Sequence, residues 1–337
     1  MTTNVENVAP AALDQERLAA LADRLVEGGG EVRNLRRLSG GASQETWAFD
    51  IEAQGRRSSM ILRRAPGGTF QHETAAGLET EAAVIRSVAA HDVRTPPLCY
   101  VLDPEDGLGR GFFTRHVDGE TIARKILRDD QFLDVRPRLT GEFGSILARI
   151  HGVPIADLPS LRAGEPADAL DLMRRGVEEL TGPRPVFALA IRWLEDRLPN
   201  PAPTCLVHGD FRLGNLIIGP DHVRAVLDWE LCHLGDPMED LAWLCATPWR
   251  FGQVDRPVAG LGQREELFAG YEAAGGTVDR ARMRWWEVHS ALRWGVNCAS
   301  MVAVFRDGID RSVERAMIAR RASENEIDLL RLIYLGD

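Results

Sequence analysis

Apolar residues recur along the chain with two periods, and the change from one to the other divides it. Over Asp14–Glu27 the positions Leu18, Leu21, Leu25 and Val26 keep a helical spacing that stops at Gly28-Gly29-Gly30. From Val32 the period shortens. Val32–Leu38 leads into the turn Ser39-Gly40-Gly41-Ala42-Ser43, and Trp47, Phe49 and Ile51 then alternate with polar neighbours or Ala48. After a turn near Gln54-Gly55 comes Met60-Ile61-Leu62. The pattern predicts a three-stranded antiparallel meander. Helical spacing returns over Thr74–Ala90, where Leu78, Ala82, Ile85 and Ala89 form one stripe. Two more strands are expected around Leu98–Leu102 and Phe112–Val117. The run Gly107-Leu108-Gly109-Arg110-Gly111 has the wording of a dinucleotide fingerprint, but it joins two strands, so it reads as a hairpin loop.

Beyond Gly119 the pattern is mainly helical. Arg138–His151 carries the stripe Leu139, Phe143, Ile146, Leu147 and Ile150, and further helices are expected over Ala167–Leu180, Pro185–Leu198, Arg264–Ala274, Arg280–Val304 and Ile309–Ile333. A strand pair interrupts them. Cys205–Val207 enters a loop, and Leu216–Ile218 turns through Gly219-Pro220-Asp221 into Val223–Leu227. The expected fold is α+β and bilobal: a small antiparallel-sheet lobe over 1–117 with a leading helix, and a larger helical lobe over 118–337.

Composition narrows the function classes. Hydrophobic residues make up 45% and charged residues 27%, an ordinary globular balance, and no apolar run reaches membrane-spanning length. Met1–Arg17 holds no apolar core behind a positive start, so the chain reads as cytoplasmic, without a secretory leader or a membrane partner. A net charge of −10 argues against nucleic acid as a partner. The five cysteines are scattered with no CxxC pair, which predicts free thiols rather than disulfides or a zinc site. Lys125 is the only lysine; the other cations, histidine apart, are arginines.

The chemistry concentrates in Leu206-Val207-His208-Gly209-Asp210-Phe211-Arg212-Leu213-Gly214-Asn215, followed by Ala225-Val226-Leu227-Asp228-Trp229-Glu230. Phosphoryl transfer from ATP needs a carboxylate to orient a hydroxyl and accept its proton, and oxygen ligands for a magnesium ion on the phosphates. Asp210 suits the first task. Asn215 and Asp228 suit the second, because magnesium favours hard oxygen donors. Each alone would be an ordinary turn or cap residue; the five-residue step from Asp210 to Asn215, with Asp228 beyond a hairpin, is far less ordinary.

HGDFRLGN, then VLDWE, then GDPMEDLAW resemble the aminoglycoside phosphotransferase (choline kinase-like) family, over nearly the whole chain from about Val32. The resemblance implies a protein-kinase-like fold, ATP and Mg2+ as cofactors, Asp210 as catalytic base and Asn215 and Asp228 as metal ligands. It implies His208 as a loop-shaping residue. The wording with Arg212 and Leu213 departs from the HGDxxPGN of antibiotic kinases. It is more similar to kinase domains associated with acyl-CoA dehydrogenases, which act on hydroxyacyl-CoA. Kinases of an aminoglycoside, amino-alcohol or sugar, and a non-catalytic nucleotide-binding relative, are the alternatives. Arg212 could neutralise charge on the transferring phosphoryl group or form a surface ion pair.

In the small lobe, Gly40, Gly41 and Ser43 would bring backbone N–H groups to the ATP phosphates, or simply close a hairpin. The third strand has Arg63 where a phosphate-binding lysine would stand, and Glu81, on the packing face of its helix, is the expected partner of Arg63. The strand Phe112–Val117, with Thr114 and His116, would form the hinge beside adenine. Asp236 and Asp240 are expected to cap a helix and brace the catalytic loop. Trp285, Trp286 and His289 either line an acceptor pocket or belong to the core.

Overall fold

The computed structural model describes residues 13–40, 44–65, 75–201 and 203–336. They fall into two compact units. One takes in residues up to Asp118 with Asp157–Ser160 and Arg224–Cys232, and the other holds the rest.

The first unit begins with α1 (Gln15–Ala20) and α2 (Ala22–Leu25). Asp14 caps α1, accepting from the N–H groups of Glu16 and Arg17 at 3.0 and 3.2 Å. The single helix expected over 14–27 is thus two. At Leu21 the chain tightens, its N–H reaching back only three residues to the Leu18 carbonyl. Then come β1 (Glu31–Gly40), β2 (Glu45–Ala53), β3 (Arg56–Ala65), α3 (Leu78–Ala90), β4 (Leu98–Val101) and β5 (Arg110–Arg115). The strands form one sheet in the order β1-β2-β3-β5-β4, every pair antiparallel. The alternation of side chains gives the sheet two characters. Phe49, Ile51, Met60, Leu62 and Phe113 build a core with Leu18, Leu21 and Leu25. On the other face the register aligns Thr46, Arg63 and Phe112 in one row and Ala48, Ile61 and Thr114 in the next. The glycine run before β5 does lie in a hairpin. At Gly111 a Cβ would fall 2.4 Å from the Arg63 carbonyl, so only glycine lets β5 approach β3.

The second unit is mostly helical. Its first half contains α4 (Ala123–Arg128), α5 (Arg136–His151), β6 (Ala163–Gly164), α6 (Pro166–Leu180), α7 (Pro185–Glu195), β7 (Cys205–Val207) and β8 (Leu216–Ile218). Inside β9 (Val223–Val226) the chain passes into the first unit, and it returns at β10 (His233–Gly235). There follow α8 (Met238–Cys245), α9 (Arg264–Ala273), α10 (Arg280–Arg306), α11 (Val313–Ala319) and α12 (Ala322–Tyr334). β10 pairs antiparallel with β7 and parallel with β6. Helix α5 packs on α9, and α10 packs on α8, α11 and α12. One long helix was expected over 309–333; instead Ser312 starts α11 afresh, accepting from the Arg315 N–H at 3.3 Å. Among the described residues no helix is long and apolar enough to cross a membrane.

Candidate active site

Strand β7 delivers the chain into His208-Gly209-Asp210. Gly209 has φ 80°, a left-handed conformation that a side chain would strain. The loop's amides are held from α8: His208 and Gly209 donate their N–H groups to the Asp240 carboxylate at 2.8 and 2.9 Å. Asp240 is fully buried and also accepts from His151 Nε2 at 3.2 Å. His151 Nδ1 then accepts from the Tyr271 hydroxyl at 2.8 Å. His208 Nδ1 accepts the Asp210 N–H at 3.2 Å, and its ring meets the edge of Phe211, so the imidazole is spent on loop shape. Arg293 donates to the Gly209 carbonyl at 3.0 Å.

Three donors converge on the Asp210 carboxylate. Trp243 Nε1 lies 2.8 Å from Oδ1 and Asn215 Nδ2 2.7 Å from Oδ2, while Arg212 Nε contacts both oxygens at 3.2 and 3.1 Å. Asn215 Nδ2 also donates to the Asp210 carbonyl at 2.9 Å. Its amide oxygen is therefore the end left for another ligand. Arg212 lies over the Trp249 ring, 4.9 Å from its centroid.

A second cluster forms within the first unit. Arg63 reaches Glu81 at 3.3 Å, Asp228 at 2.6 Å, Glu230 at 3.1 Å and Gln44 at 2.5 Å. Glu81 is only 1% exposed. Burial, reinforced by Asp228 and Glu230 against the pull of Arg63, pushes its carboxyl up to about 7. Burial opposes the Arg63 charge, but Glu81 and Asp228 hold the guanidinium above its ordinary range. Asp228 has φ 66° and ψ 64°, unusual for a residue with a side chain, and such strain costs roughly 1–3 kcal/mol. Glu79 faces elsewhere and pairs with Arg110 at 2.7 Å.

Other sequence-selected residues scatter. Gly40 ends β1 opposite Glu45, and Gly41 and Ser43 lie outside the described residues. Thr114 is buried in β5. The amides of Arg115 and His116 are already committed, to the carbonyls of Pro97 and Ser59 at 2.9 Å each. His116 helps line a cavity of about 170 Å³ with Ala48, Asp50, Arg57, Ser59 and Asp118. Asp236 accepts from the Met238 N–H at 2.9 Å and pairs with Arg282. Trp285, Trp286 and His289 are buried and belong to the core. The cysteines are free.

Sequence reasoning missed Trp243, Arg293 and Glu230. The first two come from distant helices. Glu230 did carry a signal, a carboxylate two residues past Asp228.

Residues 34–286 match the model of the APH phosphotransferase enzyme family, three quarters of the chain. The chain belongs to that family. Curated relatives include acyl-CoA dehydrogenase family member 10 of Mus musculus, 31% identical over 55% of this chain and 18% of the relative. Family member 11 of Gallus gallus is 30% identical over 68% of this chain and 30% of its own. The chain thus spans less than a third of either. Among solved structures, a choline/ethanolamine kinase family protein from Mesorhizobium loti aligns with TM-score 0.63 at 19% identity, over 95% of this chain and 94% of that one. An aminoglycoside phosphotransferase APH(4)-Ia, solved as a ternary complex with AMP-PNP and hygromycin B, aligns with TM-score 0.61 at 17% identity, over 93% and 98%. These likenesses fix the fold as protein-kinase-like, α+β. The family this chain belongs to is one of phosphotransferase enzymes.

Proposed function

We propose that this enzyme transfers the γ-phosphoryl group of ATP to the hydroxyl of a small molecule, with a hydroxyacyl-CoA as the acceptor. The observation that carries the reading is the Asp210 carboxylate, fixed by three donors on a loop that α8 holds. In the proposed reaction the acceptor hydroxyl donates its hydrogen bond to Asp210 and its proton passes to that carboxylate as the oxygen attacks phosphorus. The bond to the ADP oxygen breaks, and the products are ADP and a phosphate monoester. Arg212, held at Asp210 with its side chain 29% exposed, offers N–H groups to the equatorial phosphoryl oxygens. Arg63, braced by Glu81, stands in for the lysine that orients the α- and β-phosphates.

We assign the metal ligands by their chemistry: the carboxylate of Asp228 and the amide oxygen of Asn215 are hard donors of the kind a divalent cation prefers, the latter left available by its nitrogen's bonds to Asp210. Magnesium bound with a nucleotide is held by one or two protein oxygens together with phosphate and water. Bound Mg2+ supplies charge neutralisation along the phosphates.

Two features favour an anionic thioester acceptor over a cationic aminoglycoside. The cation beside Asp210 that is still partly exposed is Arg212, stacked on Trp249. The curated relatives are named as acyl-CoA dehydrogenase family members. A screen of 3- and 4-hydroxyacyl-CoA thioesters beside aminoglycosides, choline and sugars tests this. Phosphorylation of a thioester is expected; turnover of aminoglycosides or choline alone would overturn the acceptor assignment.

A further inference from the structure

Helix α8 places two polar side chains on one face, three residues apart, and spends both on the same loop. Asp240 takes the amides of His208 and Gly209. Trp243, one turn on and 2% exposed, gives its single polar atom, Nε1–H, to Asp210 Oδ1 at 2.8 Å. The indole is itself held. The Arg293 guanidinium covers its face, 4.3 Å from the ring centroid, and Trp249 meets it edge-on at 5.3 Å. Arg293 is fixed in turn by the Gly209 carbonyl at 3.0 Å and by buried Glu239 at 3.6 Å. Burial alone would raise Glu239, but His233 and Arg293 pull it down to about 2, so it stays anionic beside Arg293.

The other two donors to Asp210 have second duties in the proposed reaction, Asn215 toward the cation and Arg212 toward the phosphoryl group. Trp243 has none. It is neutral, rigid and shut away from solvent, and its N–H does nothing but fix the direction of one carboxylate oxygen. We propose that Trp243 is the positioning residue of the catalytic base, with Arg293 locking the indole between carboxylate and loop. The inference rests on Asp210 being that base. A carboxylate with one oxygen pinned by a buried indole keeps its other oxygen aimed while Arg212 turns toward the phosphoryl group.

The test uses the full chain with 15N-labelled indoles. The Trp243 Nε1–H resonance, assigned in the wild type by through-bond correlation of the indole to its own backbone, is expected downfield and moves upfield in Asp210→Ala. It shifts and broadens in Arg293→Met, where the ring loses its cover. Turnover of MgATP with 3-hydroxybutyryl-CoA, and with water as the only acceptor, falls on the order of 10- to 100-fold in Trp243→Phe. KM for ATP stays within about twofold of wild type, because the loss falls on the oriented base and not on the nucleotide. An indole resonance indifferent to Asp210→Ala would overturn the proposal, even if Trp243→Phe failed to fold. So would unchanged kcat in Trp243→Phe of an enzyme that Asp210→Asn inactivates. Full turnover in Asp210→Asn defeats the base assignment instead, and the indole resonance would still report the contact.

Discussion

Arg63 sets one positive charge against three carboxylates, and the energetics of the first unit turn on that imbalance. Glu81 is the member that cannot reach water. Its carboxyl lies near 7, above its ordinary value of 4.5, so its folded form prefers the proton. A raised folded pKa contributes stability below the unfolded value and loses it as pH climbs through the folded one. Wild-type stability in urea is therefore expected to lose roughly 3 kcal/mol from this group between pH 4.5 and 7, and Glu81→Gln to flatten that slope. An unchanged slope would contradict the account. His289 acts with the opposite sign. Burial pushes it down to about 4 from 6.5, so its contribution is present above 6.5 and lost as pH falls toward 4. His289→Gln is expected to remove that acid-side loss in the same titration. Replacing Arg63 by methionine strips the cation from Glu81, and the resulting loss in urea unfolding should be larger at pH 8, where Glu81 would otherwise be ionised, than at pH 5. It should also raise KM for ATP about tenfold or more.

Elements decide how much of this could be read in advance. The strands of the sheet were legible because one face is buried, which imposes an apolar alternation on Trp47–Ile51, and because Met60–Leu62 is a short apolar run; their polar ends, such as Arg56 paired with Ala53, carry no such signal. Strands β6 and β10 have two and three residues, too short for any period to show. The sheet face carrying Arg63 and the helix face carrying Glu81 were legible too, since a charged residue among apolar positions asks for a partner. The loop His208–Asn215 was legible because its groups are close in sequence. Its braces were not: Trp243 and Arg293 sit in apolar helical stripes that look like core. Asp240 was readable only as a cap or brace, and the structure shows it as the acceptor of two loop amides. Asp240→Ala should strand both N–H groups, costing about 1–3 kcal/mol for each in melting or urea experiments. Turnover should fall at least 100-fold, while ATP affinity, which the proposal assigns to the Arg63 cluster, changes little. Equal losses in affinity and turnover would place Asp240 outside the catalytic loop's support.

At the scale of the whole molecule, the groups assigned to chemistry are shared between two compact units. Asp210 and Asn215 stand in one, and Arg63, Glu81 and Asp228 in the other, with the chain crossing between them inside β9. The sequence reading gave all of 118–337 to the helical lobe, whereas Arg224–Cys232 clusters with the sheet. Sequence order could not reveal this, because the six residues Leu227–Cys232 after β9 are too few for any period to announce their neighbours. The most direct measurement is transfer of radiolabelled γ-phosphoryl from MgATP to a panel of hydroxyl acceptors, run with wild type, Asp210→Asn and Asp228→Asn. The account predicts a labelled phosphate monoester from wild type and a loss on the order of 1000-fold in each variant. Undiminished transfer by either variant, or no transfer by wild type to any acceptor, would contradict it.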